Sequence, residues 1–168
     1  MKSKITICTL VPLLVVGLAL PASATESSAF RDLMRDYESI RLLLLTDELD
    51  GVAQHARSIE ERVAQLSEAF NAADAGVPEE KAADCRALLP ELAAAAARVS
   101  AATEIEVARE ALFELSKPLG RYRKMAGIEG SMVVFCPMAK KAWIQPEGEI
   151  GNPYMGREMP TCGRVIAD

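Results

Sequence analysis

The stretch 52-VAQHARSIEERVAQLSEAF-70 sets the fold class. Its apolar residues Val52, Ala56, Ile59, Val63, Leu66 and Phe70 are separated by alternating steps of four and three. That alternation lines one face of a helix and is the spacing of helices packed side by side in a bundle. Similar faces lie on both sides of it. Upstream, Phe30, Leu33, Met34, Tyr37, Ile40 and Leu44 recur at helical spacing, and Asp50-Gly51 is a break, with Asp50 as the expected N-cap. Downstream, "NAADAGVPEE" (71–80) is turn chemistry: Gly76 suits a helix end, and Pro78 followed by Glu79 and Glu80 suits a helix start.

A third face follows in Cys85, Leu88, Leu92, Ala95 or Ala96, and Val99, with an alanine run that favours helix and permits close approach. "SAATE" (100–104) is the next break, and Thr103 with Glu106 fits a capping box. The fourth face is Ile105, Ala108, Leu112, Leu115, Leu119 and Tyr122, with Pro118 expected to kink or locally break it. Four amphipathic helices with short connections predict an all-α protein, an up-down four-helix bundle over 25–126. From Gly127 the pattern changes. "SMVVFC" (131–136) suits one short strand, and 145–163 is turn-rich throughout, so 127–168 is expected as a short irregular Cys/Met-rich cap packed on the bundle.

The N-terminus reads differently. Residues 1–24 hold two lysines, an apolar run and Ala22-Ser23-Ala24, the layout of a secretory signal peptide. Cleavage there leaves 144 residues, one domain of ordinary size. Loss of Lys2 and Lys4 takes the formal net charge from −5 to −7. An acidic exported protein is a poor partner for nucleic acid or an anionic membrane surface. Cys8 leaves with the signal, so Cys85, Cys136 and Cys162 would enter an oxidising compartment, the periplasm, as an odd set.

Recognisable enzyme motifs are missing. The chain has one histidine, His55, so no HExxH motif can be written, and CxxCH, P-loop and GxGxxG patterns do not occur. No paired Glu-x-x-His motif marks a di-iron site, and the sequence predicts a non-enzyme with no catalytic residues. His55 flanks an apolar stripe and is expected to pack or be solvated there. Cys85 lies on a stripe and is expected as a small buried hydrophobe.

Sulfur is concentrated at the end of the chain. Cys136-Pro137-Met138 places two sulfurs two residues apart, and Pro137 pushes Cys136 toward an extended conformation, in which i and i+2 share a side. Met159-Pro160-Thr161-Cys162 places two more across a turn. Cys136, Met138, Met159 and Cys162 could therefore form a thiolate–thioether set, and such soft donors select Cu(I) over Mg, Ca or Mn. Met155 and His55 are reserve ligands. The alternative is a Cys136–Cys162 disulfide that closes a loop of about 25 residues, worth about 3 kcal/mol by chain entropy. Trp143 would then anchor the segment and the methionines fill gaps.

The residues also resemble a known family. "CPMA" (136–139), "AWIQ" (142–145) and "EIGNPYMGREMPTCG" (149–163) resemble the C-terminal signature of an uncharacterised bacterial domain. It is found as small secreted proteins and fused to periplasmic adaptors of heavy-metal (copper/silver) RND efflux systems. "REALFELS" (109–116) is similar to that family's last-helix motif. Here only Lys140-Lys141 follow the CPMA, a shorter insert than in many relatives. The resemblance implies a helical bundle with this cap and a periplasmic setting linked to copper. Asn152 and Tyr154 would shape the turn, and an efflux adaptor or copper chaperone would be the partner.

Overall fold

The computed structural model describes residues 28–166. The expected leader, residues 1–24, lies outside the described residues. The chain is mostly helical, with a small antiparallel sheet at its C-terminal end. Four long helices, α1 (Ser28–Leu45), α2 (Val52–Glu68), α4 (Ala82–Ser100) and α5 (Ile105–Ala126), are joined by short connections. One of these holds the single turn α3 (Ala72–Ala75) and a 3-10 turn, Glu79–Lys81. Helix α1 packs on α2 and α5, and α4 packs on both α2 and α5. The four apolar faces read from the sequence form one buried core that includes Leu33, Ile40, Ile59, Leu92 and Leu112. Among the described residues, no helix is long and apolar enough to cross a membrane.

Several local expectations change. Helix α2 starts at Val52 behind Gly51, whose φ of 89° a residue with a Cβ adopts only with strain, so the glycine rather than Asp50 occupies the N-cap. The 71–76 turn contains helix α3, capped by the Asn71 side chain, which accepts from the Asp74 N–H at 2.8 Å, and closed by left-handed Gly76. The Thr103/Glu106 capping box does not form. Glu104 takes the extended cap conformation, and the Glu106 carboxylate turns to Arg109 at 2.6 Å. Helix α5 also runs continuously past Pro118, which is itself buried in the helix contact. One missing N–H does not end a helix that packing holds on both sides.

The largest difference is in the cap, which has three strands rather than one, with irregular chain between them. Strands β1 (Ser131–Cys136), β2 (Lys141–Pro146) and β3 (Arg164–Ile166) form an antiparallel sheet in the order β2-β1-β3. The β1–β2 hairpin runs from Ser131↔Pro146 to Cys136↔Lys141, and its turn uses Lys140 at φ 55°. Pro146 is tolerated because it ends an edge strand. Alternation along β2 points Trp143 and Ile144 to opposite faces, and both are buried. The Ile144 N–H donates to the Tyr37 hydroxyl of α1 at 3.2 Å, and that hydroxyl shares a 2.7 Å hydrogen bond with Ser116 of α5. Trp143 is covered by the loop that follows, through an edge-on contact with Tyr154 at 5.7 Å.

Candidate functional site: a thiol pair under a pinned loop

Cys136 is the last residue of β1 and is fully buried; Cys162 lies just before β3 and is half-buried. Because β1 and β3 are neighbours in the sheet, their sulfurs meet at 3.1 Å as free thiols. A disulfide bond would measure about 2.05 Å. The tight turn after Cys136 folds the main chain back over its sulfur, and the Ala139 N–H donates to it at 3.3 Å.

The two thiols differ electrically. Burial opposes a charge on Cys136, but hydrogen bonds from the Ala139 N–H, the Cys162 thiol, the Met138 N–H and Asn152 outweigh it, so its pKa lies below the ordinary thiol value. The Cys162 pKa is raised, first because its S–H donates a hydrogen bond to the Cys136 sulfur and then by burial. The pair therefore holds its first negative charge on the inner sulfur and keeps a proton on the outer one. Cys85, buried on α4, is pushed up to about 11 by burial and stays a neutral core thiol.

The loop from Glu149 to Gly163 positions Cys162. Fully buried Asn152 organises it: its Oδ1 accepts from the N–H groups of Tyr154 (2.9 Å) and Met155 (3.2 Å), and its Nδ2 donates to the Cys162 carbonyl at 2.6 Å. Its own N–H donates to the Pro160 carbonyl at 2.7 Å. Two buried arginines on the helices grip the carbonyls on either side. Arg41 of α1 donates to Gly151 O at 2.6 Å, and Arg109 of α5 donates to Pro153 O at 2.9 Å. Arg41 is held by a two-point ion pair with Glu38, and Arg109 by Glu106, Asp47 and the Leu44 carbonyl. Gln145 of β2 completes the support, accepting from Trp143 Nε1 at 2.9 Å and from the Gly151 N–H at 3.1 Å.

Glycine is required where the loop lies against its neighbours. A Cβ at Gly163 would come within 2.8 Å of both Trp143 and Val134, and one at Gly151 within 2.5 Å of Arg41. Gly163 thus lets the residue after Cys162 lie flat on the tryptophan.

Of the four residues expected to gather sulfur, the structure brings Cys136 and Cys162 into contact. Met138 and Met159 are exposed, 64% and 37% respectively, and are tied to the pair through the main chain: the Met138 N–H faces both sulfurs, and the Met159 carbonyl accepts from the Cys162 N–H at 3.2 Å. Met155 is half-buried against the core. His55 lies on α2, with Nδ1 2.9 Å from Asp36 of α1, a carboxylate that also accepts from Arg62. Among the described residues, no three His, Cys, Asp or Glu side chains converge as a metal cluster.

No protein-family model, curated protein or solved structure matches this chain.

The arginines, Gln145 and Tyr37 were not expected from the sequence as parts of the site. Arg41 lies four residues after Tyr37 and three before Leu44, on the apolar stripe of α1. Arg109 lies four after Ile105 and three before Leu112, on the stripe of α5. A guanidinium at a core-facing position needs a buried acceptor, and here that acceptor is the cap.

Proposed function

We propose that this is an exported, non-catalytic protein that binds a soft metal ion, Cu(I), through the Cys136–Cys162 pair, and serves copper tolerance or delivery to efflux. The observation that carries the proposal is the meeting of two free thiols at 3.1 Å, with the charged form of the inner one stabilised by main-chain N–H groups. A thiolate held by N–H donors is a preorganised soft ligand, and soft sulfur donors favour Cu(I). Met138 and Met159 supply exposed thioethers from the adjacent turns, donors that need no deprotonation. We read the four long helices as an up-down four-helix bundle that acts as a rigid base for this cap. The resemblance to the domain fused to copper/silver efflux adaptors supports a periplasmic location and an adaptor or copper chaperone as partner.

The experiment is Cu(I) titration of reduced protein against a competing chelator. Wild type is expected to hold copper, and the Cys136→Ser/Cys162→Ser variant to lose it. Equal binding by the two proteins refutes the site. A second reading takes the same sulfur contact as the precursor of a permanent staple in a structural or interaction module. Mass spectrometry of protein isolated without reductant separates the two. A fully formed disulfide together with no copper affinity in either redox state favours the staple.

A further inference from the structure

We infer that Cys162 and Cys136 form a thiol–disulfide exchange couple, in which Cys162 meets an incoming disulfide and Cys136 resolves the mixed intermediate. The inference uses the same two sulfurs as the copper proposal but does not depend on a metal.

Access sets the order of the two sulfurs. Cys136 is fully buried at the end of the central strand, whereas Cys162 is half-buried and follows an exposed run from Arg157 to Thr161. A disulfide approaching from solvent reaches Cys162 first.

Both oxidation states fit one scaffold. The reduced cap is held by Arg41, Arg109, Asn152, Gln145 and Tyr154, none of which depends on a sulfur–sulfur link. Closing the gap from 3.1 Å to a bond of about 2.05 Å takes about 1 Å of movement, within reach of two side-chain rotations. A link whose absence leaves its surroundings folded can open and close without refolding the cap, and this separates an exchange couple from a staple.

The chemistry balances with a small-molecule or protein disulfide as the oxidant. As Cys162 attacks one sulfur of that disulfide, its proton passes to the adjacent Cys136 sulfur 3.1 Å away; a new S–S bond forms, and the other sulfur leaves as a thiolate that then takes up that proton and frees the Cys136 thiolate. The Cys136 thiolate then attacks the Cys162 sulfur and expels the second thiolate, which is protonated in turn. The pair loses two electrons and two protons, and the disulfide becomes two thiols.

The test uses metal-free protein with a chelator present, glutathione disulfide as oxidant and intact mass as readout. Wild type should pass to the internal disulfide without accumulating a glutathione adduct and reopen in reduced glutathione. Cys136→Ser should accumulate one adduct at Cys162, and Cys162→Ser should react at least about tenfold more slowly. Equal rates for the two variants, a lasting adduct on wild type, or a closed form that resists reduced glutathione would overturn the inference. If a variant does not fold, limited alkylation of wild type with peptide mapping decides. Cys162 should label before Cys136 while Cys85 stays unlabelled, and the reverse order or equal labelling refutes the assignment. Copper titration of wild type is read separately, so failure of the metal proposal and failure of the exchange couple give different results.

Discussion

Replacing Asn152 with alanine removes the partners of three main-chain groups at once. The Tyr154 N–H lies in a buried residue and loses its acceptor, which costs about 1–3 kcal/mol. The Met155 N–H and the Cys162 carbonyl belong to half-buried residues that water can reach, so each costs about 0.5–1.5 kcal/mol. With partial relaxation the total is about 2–4 kcal/mol, a large share of the about 5–15 kcal/mol that holds a domain folded. The loss falls on the cap, and the chain carries its own reporter there: Trp143 is the sole tryptophan and is fully buried against Tyr154. Urea unfolding followed by tryptophan fluorescence should therefore shift to lower urea in the variant. Far-UV circular dichroism, dominated by the helices, should shift less, because the cap opens before the helices do. Thiol titration should show the Cys136 pKa moving up toward the ordinary value, since one of the bonds that lowers it comes from Asn152. If both unfolding curves match wild type to within about 0.5 kcal/mol, Asn152 does not organise the loop and the account of the site fails.

Two further outcomes follow from the packing and the ionisable groups. Gly163→Ala forces a methyl against Trp143 and Val134 and should cost about 1–3 kcal/mol, read as an earlier fluorescence transition; an unchanged midpoint would show that the loop has room to move. At alkaline pH, burial holds Tyr37 neutral up to about 12 and Cys85 up to about 11, against ordinary values of 10.0 and 9.0. Groups raised in this way contribute stability that is fully present below the unfolded values and lost as pH rises through the folded ones. The urea midpoint should accordingly fall between about pH 9 and pH 12, and a flat profile there would contradict their burial.

The helices were legible because their faces repeat within a few residues, and local periodicity is what a sequence carries most plainly. Helix α2 keeps the predicted stripe from Val52 to Leu66, while Phe70 falls just past its end. The sheet was harder to read. Strand β2 is buried at Trp143, Ile144 and Gln145 in succession, so it shows no alternation, and β3 has only three residues. Their pairing depends on contacts distant in sequence, such as Phe135↔Arg164. The cysteines of the site stood out through their spacing around prolines, and Asn152 only through the resemblance of "EIGNPYMGREMPTCG" to the family signature. The arginines that hold the loop were hidden as single charges on apolar stripes. Arg109 falls inside the "REALFELS" segment that carried the family resemblance, and so does Ser116, which joins Tyr37 beneath β2.

The grip of Arg41 on Gly151 spans 110 positions along the chain, and that of Tyr37 on Ile144 spans 107. The two sulfurs are 26 positions apart, yet what sets their separation is anchored in the first long helix and in the last. Loop closures of that length come late in folding, after local helix formation. The cysteine–methionine stretch is therefore not a portable peptide. Grafted onto another protein it would bring the donor atoms and leave their arrangement behind, because the arrangement is a property of the helices.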